Sequence, residues 1–503
     1  MKIAIEGCCH GELDAIYSSL ARIEEMHKIK VDLLICCGDF QCVRDSSDLQ
    51  FLACPPKYRD LRDFPAYFRG EKEAPCLTVF VGGNHEAPTV LRELYYGGWV
   101  APKIFYLGHA GVVNVGGVRI AGLSGIFKSQ DYRKGYFEKP PYTEDTMRSA
   151  YHVREFEIAK LSELTGRVDI VVTHDWPEGI YDFGDKTELL RQKPFLEKDI
   201  RAHELGNPHS MELLKKLKPA FWFAAHLHAR FAAVYVHPGP EGKATRFLAL
   251  DKVLPRREFL QILEVEPLLS AGYVQELSPG LSRPSPTLCY DEEWLAILRA
   301  NQQVIPVNRF PEKSCPVTKA TAEDLATVKK NLASLRLRNC RENSGHAKLS
   351  LNSVGAAAAA EDARRKSDGE RRSDGERRSV REEREGCEEA AAGASADASV
   401  QRTHFDAETP PQSLGRQEEC TFFEWINWAD PRAPYTELKK QRLFLLRSIL
   451  GYDEEDDKFG EAGQREEAAD VDVLVDRTSA HVGAQRSMEE VDICLDLSDE
   501  EAA

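Results

Sequence analysis

Five short segments of this 503-residue chain carry side chains of the kinds that bind metals or move protons. They are Cys8-Cys9-His10, Gly38-Asp39, Gly83-Asn84-His85-Glu86, Thr173-His174-Asp175 and Ala225-His226-Leu227-His228. Thiol, imidazole, carboxylate and amide oxygen are all donors to divalent ions. Taken singly, each segment also has an ordinary reading. Gly-Asn-His suits a turn, a Cys-Cys pair suits a core, and Asp after Gly suits a helix cap or turn. A His-x-His on a strand is as often a solvated face as a ligand pair.

Order changes the reading. The succession [D/C]xH, GD, GNHE, H and HxH, spaced over residues 1–265, resembles the calcineurin-like metallophosphoesterases. That resemblance implies an α/β fold, a layered β-sandwich flanked by helices, with a smaller C-terminal domain and disordered tails. It also implies two divalent metal ions. A phosphodiester is anionic and repels hydroxide, and two metal ions about 3.5–4 Å apart offset that charge and acidify a water. On this reading Asp39 bridges the pair, and His10, Asn84, His174, His226 and His228 complete the ligand set. His85, beside a ligand without being one, is the general acid. Asp175 accepts a supporting hydrogen bond behind the ligands, although a turn-forming Asp is an equal alternative.

The first ligand position narrows the family. The superfamily usually opens Asp-x-His, whereas here Cys8 stands two residues before His10. In that departure GCCHGELD resembles the RNA lariat debranching enzymes, and so do CCGDFQCVR, VGGNHEA, LYYGGWVAPKIFYLGHAG, GLSGIFKSQDYRKGYFEKPPY, THDWPEGI, AAHLHARF and TRFLALDKVLPRREFLQ. WADPRAPYTELKKQR resembles that family's C-terminal domain. The resemblance implies hydrolysis of the 2′–5′ phosphodiester at the branch point of excised intron lariat RNA, with the adenosine 2′-oxygen leaving protonated by His85. It implies iron, zinc or manganese as the metal. A thiolate at Cys8 favours zinc or iron(II) over magnesium, because sulfur is the softer donor; an unligated Cys8 with one weak metal site is the alternative.

Residues 126–156 interleave Lys128, Arg133, Lys134, Lys139, Arg148 and Arg154 with Phe127, Tyr132, Tyr136, Phe137, Tyr142 and Tyr151. Aromatic rings stack unpaired bases and cations meet phosphates. A long surface loop with a small core of its own would have the same composition. In the family resembled, this segment is the lariat-recognition loop, which makes Lys128, Tyr132, Arg133, Tyr136, Phe137 and Tyr142 the expected substrate contacts.

The elements that must hold these groups are legible as apolar runs. KIAIEG, VDLLICCGD, LTVFVGGNH, VRIAGLSG and VDIVVTHD read as buried strands, each ending in Gly, Asp or His. Helical patterns such as 13–29 lie between them, as expected for α/β layers. Functional groups in such folds collect at the carboxyl ends of strands. Residues 1–265 are therefore read as the catalytic domain, and 266–352 with 419–451 as the smaller C-terminal domain. Residues 353–418 contain SDGERR twice in succession beside an Ala run and read as a disordered insertion.

The formal charge of −16 at first argues against a nucleic-acid partner. Residues 452–503 hold 18 acidic and four basic residues, so the remaining 451 carry only about −2. The acidic tail reads as a disordered appendage. The 13 cysteines are odd in number, without zinc-finger pairs, and read mostly as small buried hydrophobes in a reducing interior. There is no run of about 18 apolar residues, so no membrane partner is expected. The opening MKIAIEGCCHGELD is interrupted by Glu6 and His10 and does not read as a signal peptide. The substrate implied places the protein in the nucleus, and KKQR at 439–442 is too short to be a nuclear signal. Spliceosome-associated proteins are the further partners expected. Two other readings stay open: another nuclease or phosphatase of the superfamily, which would normally carry Asp at position 8 and lack the 126–156 loop, and a non-catalytic spliceosomal scaffold acting through 266–503.

Overall fold

The computed structural model describes residues 1–240, 242–265, 286–311, 317–335 and 433–459, all within the compact unit Met1–Gly460. The insertion 353–418, residues 419–432 and the tail beyond 459 lie outside the described residues.

Two sheets face one another. The first has the order β12-β1-β2-β3-β5-β4, with β1 Lys2–Glu6, β2 Leu33–Cys36, β3 Leu77–Phe80, β4 Gly98–Ala101, β5 Ile104–Tyr106 and β12 Leu260–Glu264. The second has the order β10-β11-β9-β8-β7-β6-β13, with β6 Ala110–Val115, β7 Val118–Leu123, β8 Ile170–Thr173, β9 Phe221–Ala224, β10 Phe231–Val236, β11 Ala244–Ala249 and β13 Leu288–Tyr290. The five apolar runs read as strands fall on β1, β2, β3, β7 and β8.

Side chains alternate between faces along a strand. Ile3 and Ile5 of β1, Leu33 and Ile35 of β2, and Leu77 and Val79 of β3 point into one cluster with Val113, Ile120, Ile170, Val172 and Phe223 of the opposite sheet. Ala4, Leu34 and Phe80 point the other way, onto Leu13, Ile16, Tyr17 and Leu20 of the helix Leu13–His27. Both faces of these strands are covered, hence their unbroken apolar sequences. Each fully buried Ile or Leu contributes about 1.5–3 kcal/mol.

Parallel pairing of β1 with β2, and of β2 with β3, sets their carboxyl ends side by side. The loops after β1, β2, β3, β8 and β9 are the five segments singled out above. β12 pairs antiparallel with β1 over Lys2–Glu6, so residues to 265 belong to the sandwich.

The segment after residue 286 does not fold apart from it. β13 pairs antiparallel with β6, Leu288 opposite Val115. Arg119 of β7 grips Asp291 at 2.7 and 2.8 Å and Glu293 at 2.8 Å. The helix Glu292–Asn301 buries Trp294, Leu295 and Leu298. A helix over 322–335 and the segment Leu445–Leu450 pack with it, while the helix Ala433–Phe444 that leads into Leu445–Leu450 lies against β4. The Asn331 amide donates to Ile449 O at 2.9 Å. Gln441 accepts from Trp99 N at 2.7 Å and donates to Trp99 O at 2.9 Å, holding the edge strand β4 much as a neighbouring strand would.

One boundary expected from composition is corrected. Residues 452–459 are not part of a free tail. Tyr452 donates to Arg299 O at 2.8 Å, Gln302 donates to Asp456 O at 2.8 Å, and Asp457 pairs with buried Arg442 at 2.9 Å. Phe459 is buried against Tyr95. Acidic composition hid two aromatic anchors, Tyr452 and Phe459, and one carboxylate, that of Asp457, with a fixed partner.

Candidate metal centre

Asp39 sits at the middle of the five loops. It follows β2, is buried, and turns its two oxygens in different directions. Oδ2 lies 3.7 Å from His10 Nε2, and Oδ1 lies 3.2 Å from His174 Nε2. Around the first oxygen, His10 Nε2 and His228 Nε2 approach to 3.2 Å, and one ligand atom from each of Cys8, His10, Asp39 and His228 lies within 4.8 Å of the others. Around the second, His174 Nε2 is also 3.2 Å from Asn84 Oδ1, and the His174 and His226 rings are centred 5.0 Å apart. The seven predicted ligands thus gather on either side of one carboxylate, a donor set that fits divalent metal. Nitrogen, oxygen and one sulfur are all donors to divalent ions.

The supports are equally specific. His174 Nδ1 donates to Cys37 O at 2.9 Å, which turns Nε2 toward Asp39 and Asn84. The His226 amide donates to Cys8 Sγ at 3.1 Å. Asp39 Oδ1 accepts from the His85 amide at 2.9 Å, tying the Asn84-His85 turn to the shared carboxylate. Gly83 is required there, since a Cβ would come within 2.1 Å of Asp39 Oδ1. Gly38, at φ +116, faces His174 so closely that a Cβ would lie 2.3 Å from its Nδ1. His10, Asp39, His226 and His228 all hold positive φ, between 45 and 65°. Such backbone costs on the order of 1–2 kcal/mol per residue, and it persists only where the surrounding structure over-determines it.

The electrostatics follow from burial. Desolvation pushes His10 down to about 4, His226 to about 3 and His228 to about 2, so each imidazole is neutral near pH 7 with a lone pair to offer. Burial opposes the charge on Asp39, but His174, His85 and His10 together hold its carboxyl well below the usual range. Burial likewise opposes charge on His174, yet Asp39 raises it overall. Burial pushes the Cys8 thiol up, with Asp39 and Glu6 adding to the rise.

Two acidic residues beside the ligands take structural positions. Asp175 accepts from the amides of Phe127 at 3.0 Å and Trp176 at 2.9 Å. It thus fastens the start of the 126–156 loop to the chain at His174 rather than hydrogen-bonding an imidazole. Glu86, given no role from sequence, accepts from the amides of Phe40, Cys42 and Gly83 at 2.6, 3.1 and 3.2 Å, and burial raises it to about 7. Its place in the GNHE segment was the only signal.

The 126–156 loop closes on itself: Val153 N donates to Ile126 O at 2.9 Å and Ile126 N to Tyr151 O at 3.2 Å. Its aromatic residues divide in two. Tyr132, Tyr136 and Tyr142 are buried, which departs from the expectation that they present free faces. Tyr132 lies flat on His209, centroids 4.0 Å and planes 3° apart. Tyr136 donates to Glu157 at 2.6 Å, as does Tyr95, and Lys160 pairs with the same carboxylate at 2.8 Å. Tyr142 meets Phe51 edge-on at 5.4 Å. Arg154 is buried against Glu138 at 2.5 Å. Tyrosine hydroxyls find partners when buried, so the loop carries its own small core. Arg133 and Lys139 are exposed, while Lys128, Phe137 and Tyr151 are partly so.

Comparison with known proteins agrees with this geometry. Residues 1–230 match the model of the calcineurin-like phosphoesterases, and residues 242–347 match that of the lariat debranching enzyme C-terminal domain. A lariat debranching enzyme of Arabidopsis thaliana is 51% identical over 310 residues, 61% of this chain and 70% of that protein. The chain belongs to the lariat debranching enzyme family. Lariat debranching enzyme A of Xenopus laevis is 52% identical over 312 residues, and the lariat debranching enzyme of Homo sapiens 54% over 311. Against these two the chain spans 56% and 55% of their length, little more than half. Within the debranching family match, the C-terminal model begins before β11, inside the sandwich whose β12 closes the first sheet.

Proposed function

We propose that this chain hydrolyses the 2′–5′ phosphodiester at the branch point of lariat intron RNA. The observation that carries this reading is the shared Asp39, one oxygen toward His10, His228 and Cys8, the other toward His174 and Asn84, in a chain of the debranching family. Cys8, His10, Asp39, Asn84, His174, His226 and His228 would hold two divalent ions, iron(II), zinc or manganese. When bound, such ions supply positive charge against the phosphodiester and lower the pKa of the attacking water.

The chain's own groups do the rest. His85 is partly exposed, with its ring 5.2 Å from that of His10 and its backbone held by Asp39. It stands at the edge of the donor groups and gives its proton to the departing 2′-oxygen. The water oxygen bonds to phosphorus as the bond to the 2′-oxygen breaks, leaving linear RNA with a 5′-phosphate and a free 2′-hydroxyl. Of the substrate contacts expected from the sequence, Lys128, Arg133 and Phe137 are those with exposed surface for the branched strand. A nuclear location follows from where such RNA arises, with spliceosome-associated proteins as neighbours.

The test is incubation with a branched RNA and a linear 3′–5′ RNA, with and without a chelator. Selective, chelator-sensitive loss of the branch is expected. Equal cleavage of both RNAs would make the protein a general nuclease. Cleavage of neither, with metal present, would make it a scaffold.

A further inference from the structure

Besides the packing of Phe459 on Tyr136, the C-terminal part of the chain meets the 126–156 loop at its backbone. Gly135 N donates to Asn308 O at 3.1 Å and Tyr136 N donates to Pro306 O at 2.8 Å. Gly135 permits this, because a Cβ there would come within 2.4 Å of Asn308 O. Just beyond the contact, Arg309 lies with its guanidinium carbon 5.1 Å from the centre of the Phe137 ring and 5.6 Å from that of Phe310. Phe310 is 74% exposed, the most exposed of the large hydrophobic residues among those described. Arg309, and Arg133 and Lys139 of the adjoining loop, are exposed and make no ion pair among the described residues. Lys134, by contrast, is bound to Asp131 at 2.5 Å.

A folded chain gains nothing from leaving a phenyl ring in water beside a cation. A guanidinium set between two aromatic rings, with unpaired cations around it, is how proteins hold single-stranded nucleic acid: rings stack bases and cations meet phosphates.

We infer that Phe137, Arg309 and Phe310 form a platform for single-stranded RNA flanking the cleaved linkage, contributed jointly by the loop and the C-terminal domain. This rests on the debranching reading for the identity of the RNA. It relocates the stacking surface from the buried tyrosines to a seam between two parts of the chain.

The test is equilibrium binding by fluorescence anisotropy, in chelator so that nothing is cleaved. The ligands are a branched RNA with arms of several nucleotides, the same branch with single-nucleotide arms, and a linear oligouridylate. In the full-length protein, Phe310→Ala should weaken binding of the long-armed RNA by about 5- to 100-fold, and the advantage of long arms over short should shrink with it. Phe310→Trp should restore the affinity and Phe310→Leu should not, because a merely apolar contact would be met by leucine. Unchanged thermal melting shows that the fold is intact. Equal affinities in wild type and Phe310→Ala would overturn the platform and leave the patch to a protein partner. Failure of the wild type to cleave branched RNA would instead overturn the debranching reading, whatever the binding shows.

Discussion

Phe459 lies on Tyr95 with ring centroids 4.1 Å apart and planes at 24°, although the two residues are separated by most of the chain. Tyr95 in turn meets Tyr136 edge-on at 5.4 Å, and both donate to Glu157. Phe459 is thereby a wall of the cavity beneath the 126–156 loop. A chain ended after Gly460 should melt like the whole protein, whereas one ended after Gly451 should not. Phe459→Ala should cost about 3–5 kcal/mol, the usual range for removing a buried phenyl ring. Denaturant titration of the whole protein and these three variants checks this. Equal midpoints would mean that 452–459 adds nothing.

His85→Ala should retain bound metal and lose about 10²–10⁴-fold in turnover, the usual share of general acid catalysis. The imidazole borders the donor groups without entering them, and the backbone amide that binds Asp39 survives the change. Elemental analysis beside single-turnover rates separates the two effects. Metal content that falls with the rate would make His85 a ligand.

Cys8→Asp should shift activity toward manganese and magnesium, since an oxygen donor hardens the site. The Cys8 sulfur lies in the same compact group as His10, Asp39 and His228. Rates measured across a metal series in both proteins decide the matter, and superimposable profiles would show that the thiol does not coordinate.

Tyr136→Phe should lower stability rather than substrate choice. It removes one donor from buried Glu157, and an unmet buried partner costs about 1–3 kcal/mol. Arg154→Met should cost more, about 3–5 kcal/mol, by stranding Glu138. Branched RNA and a small activated phosphodiester should lose rate together in these variants as the fold weakens. A selective loss on RNA, with melting unchanged, would return the tyrosine to substrate contact.

Much of the centre was legible because its ligands stand at the ends of runs such as KIAIEG and VDLLICCGD, where apolar sequence stops and chemistry begins. Parallel pairing then brings those ends together. The burial of Tyr132 and Tyr136 was not legible. Their composition suits a binding loop and a small core alike, and only partners distant in sequence, His209 and Glu157, distinguish the two. Strands as short as β5 and β13 leave too little pattern to find. Phe459 was hidden for another reason: charge counted over a window averages away a single anchoring ring.

The pairing of β13 with β6 has a practical edge. A fragment cut at Val265, where the catalytic sequence pattern ends, would leave the backbone of Val113–Val115 without its neighbour and Arg119 without Asp291. An open strand of that kind invites another chain to zip onto it. Such a fragment should self-associate in solution, its particle size rising with protein concentration, while a version extended through residue 301 should not.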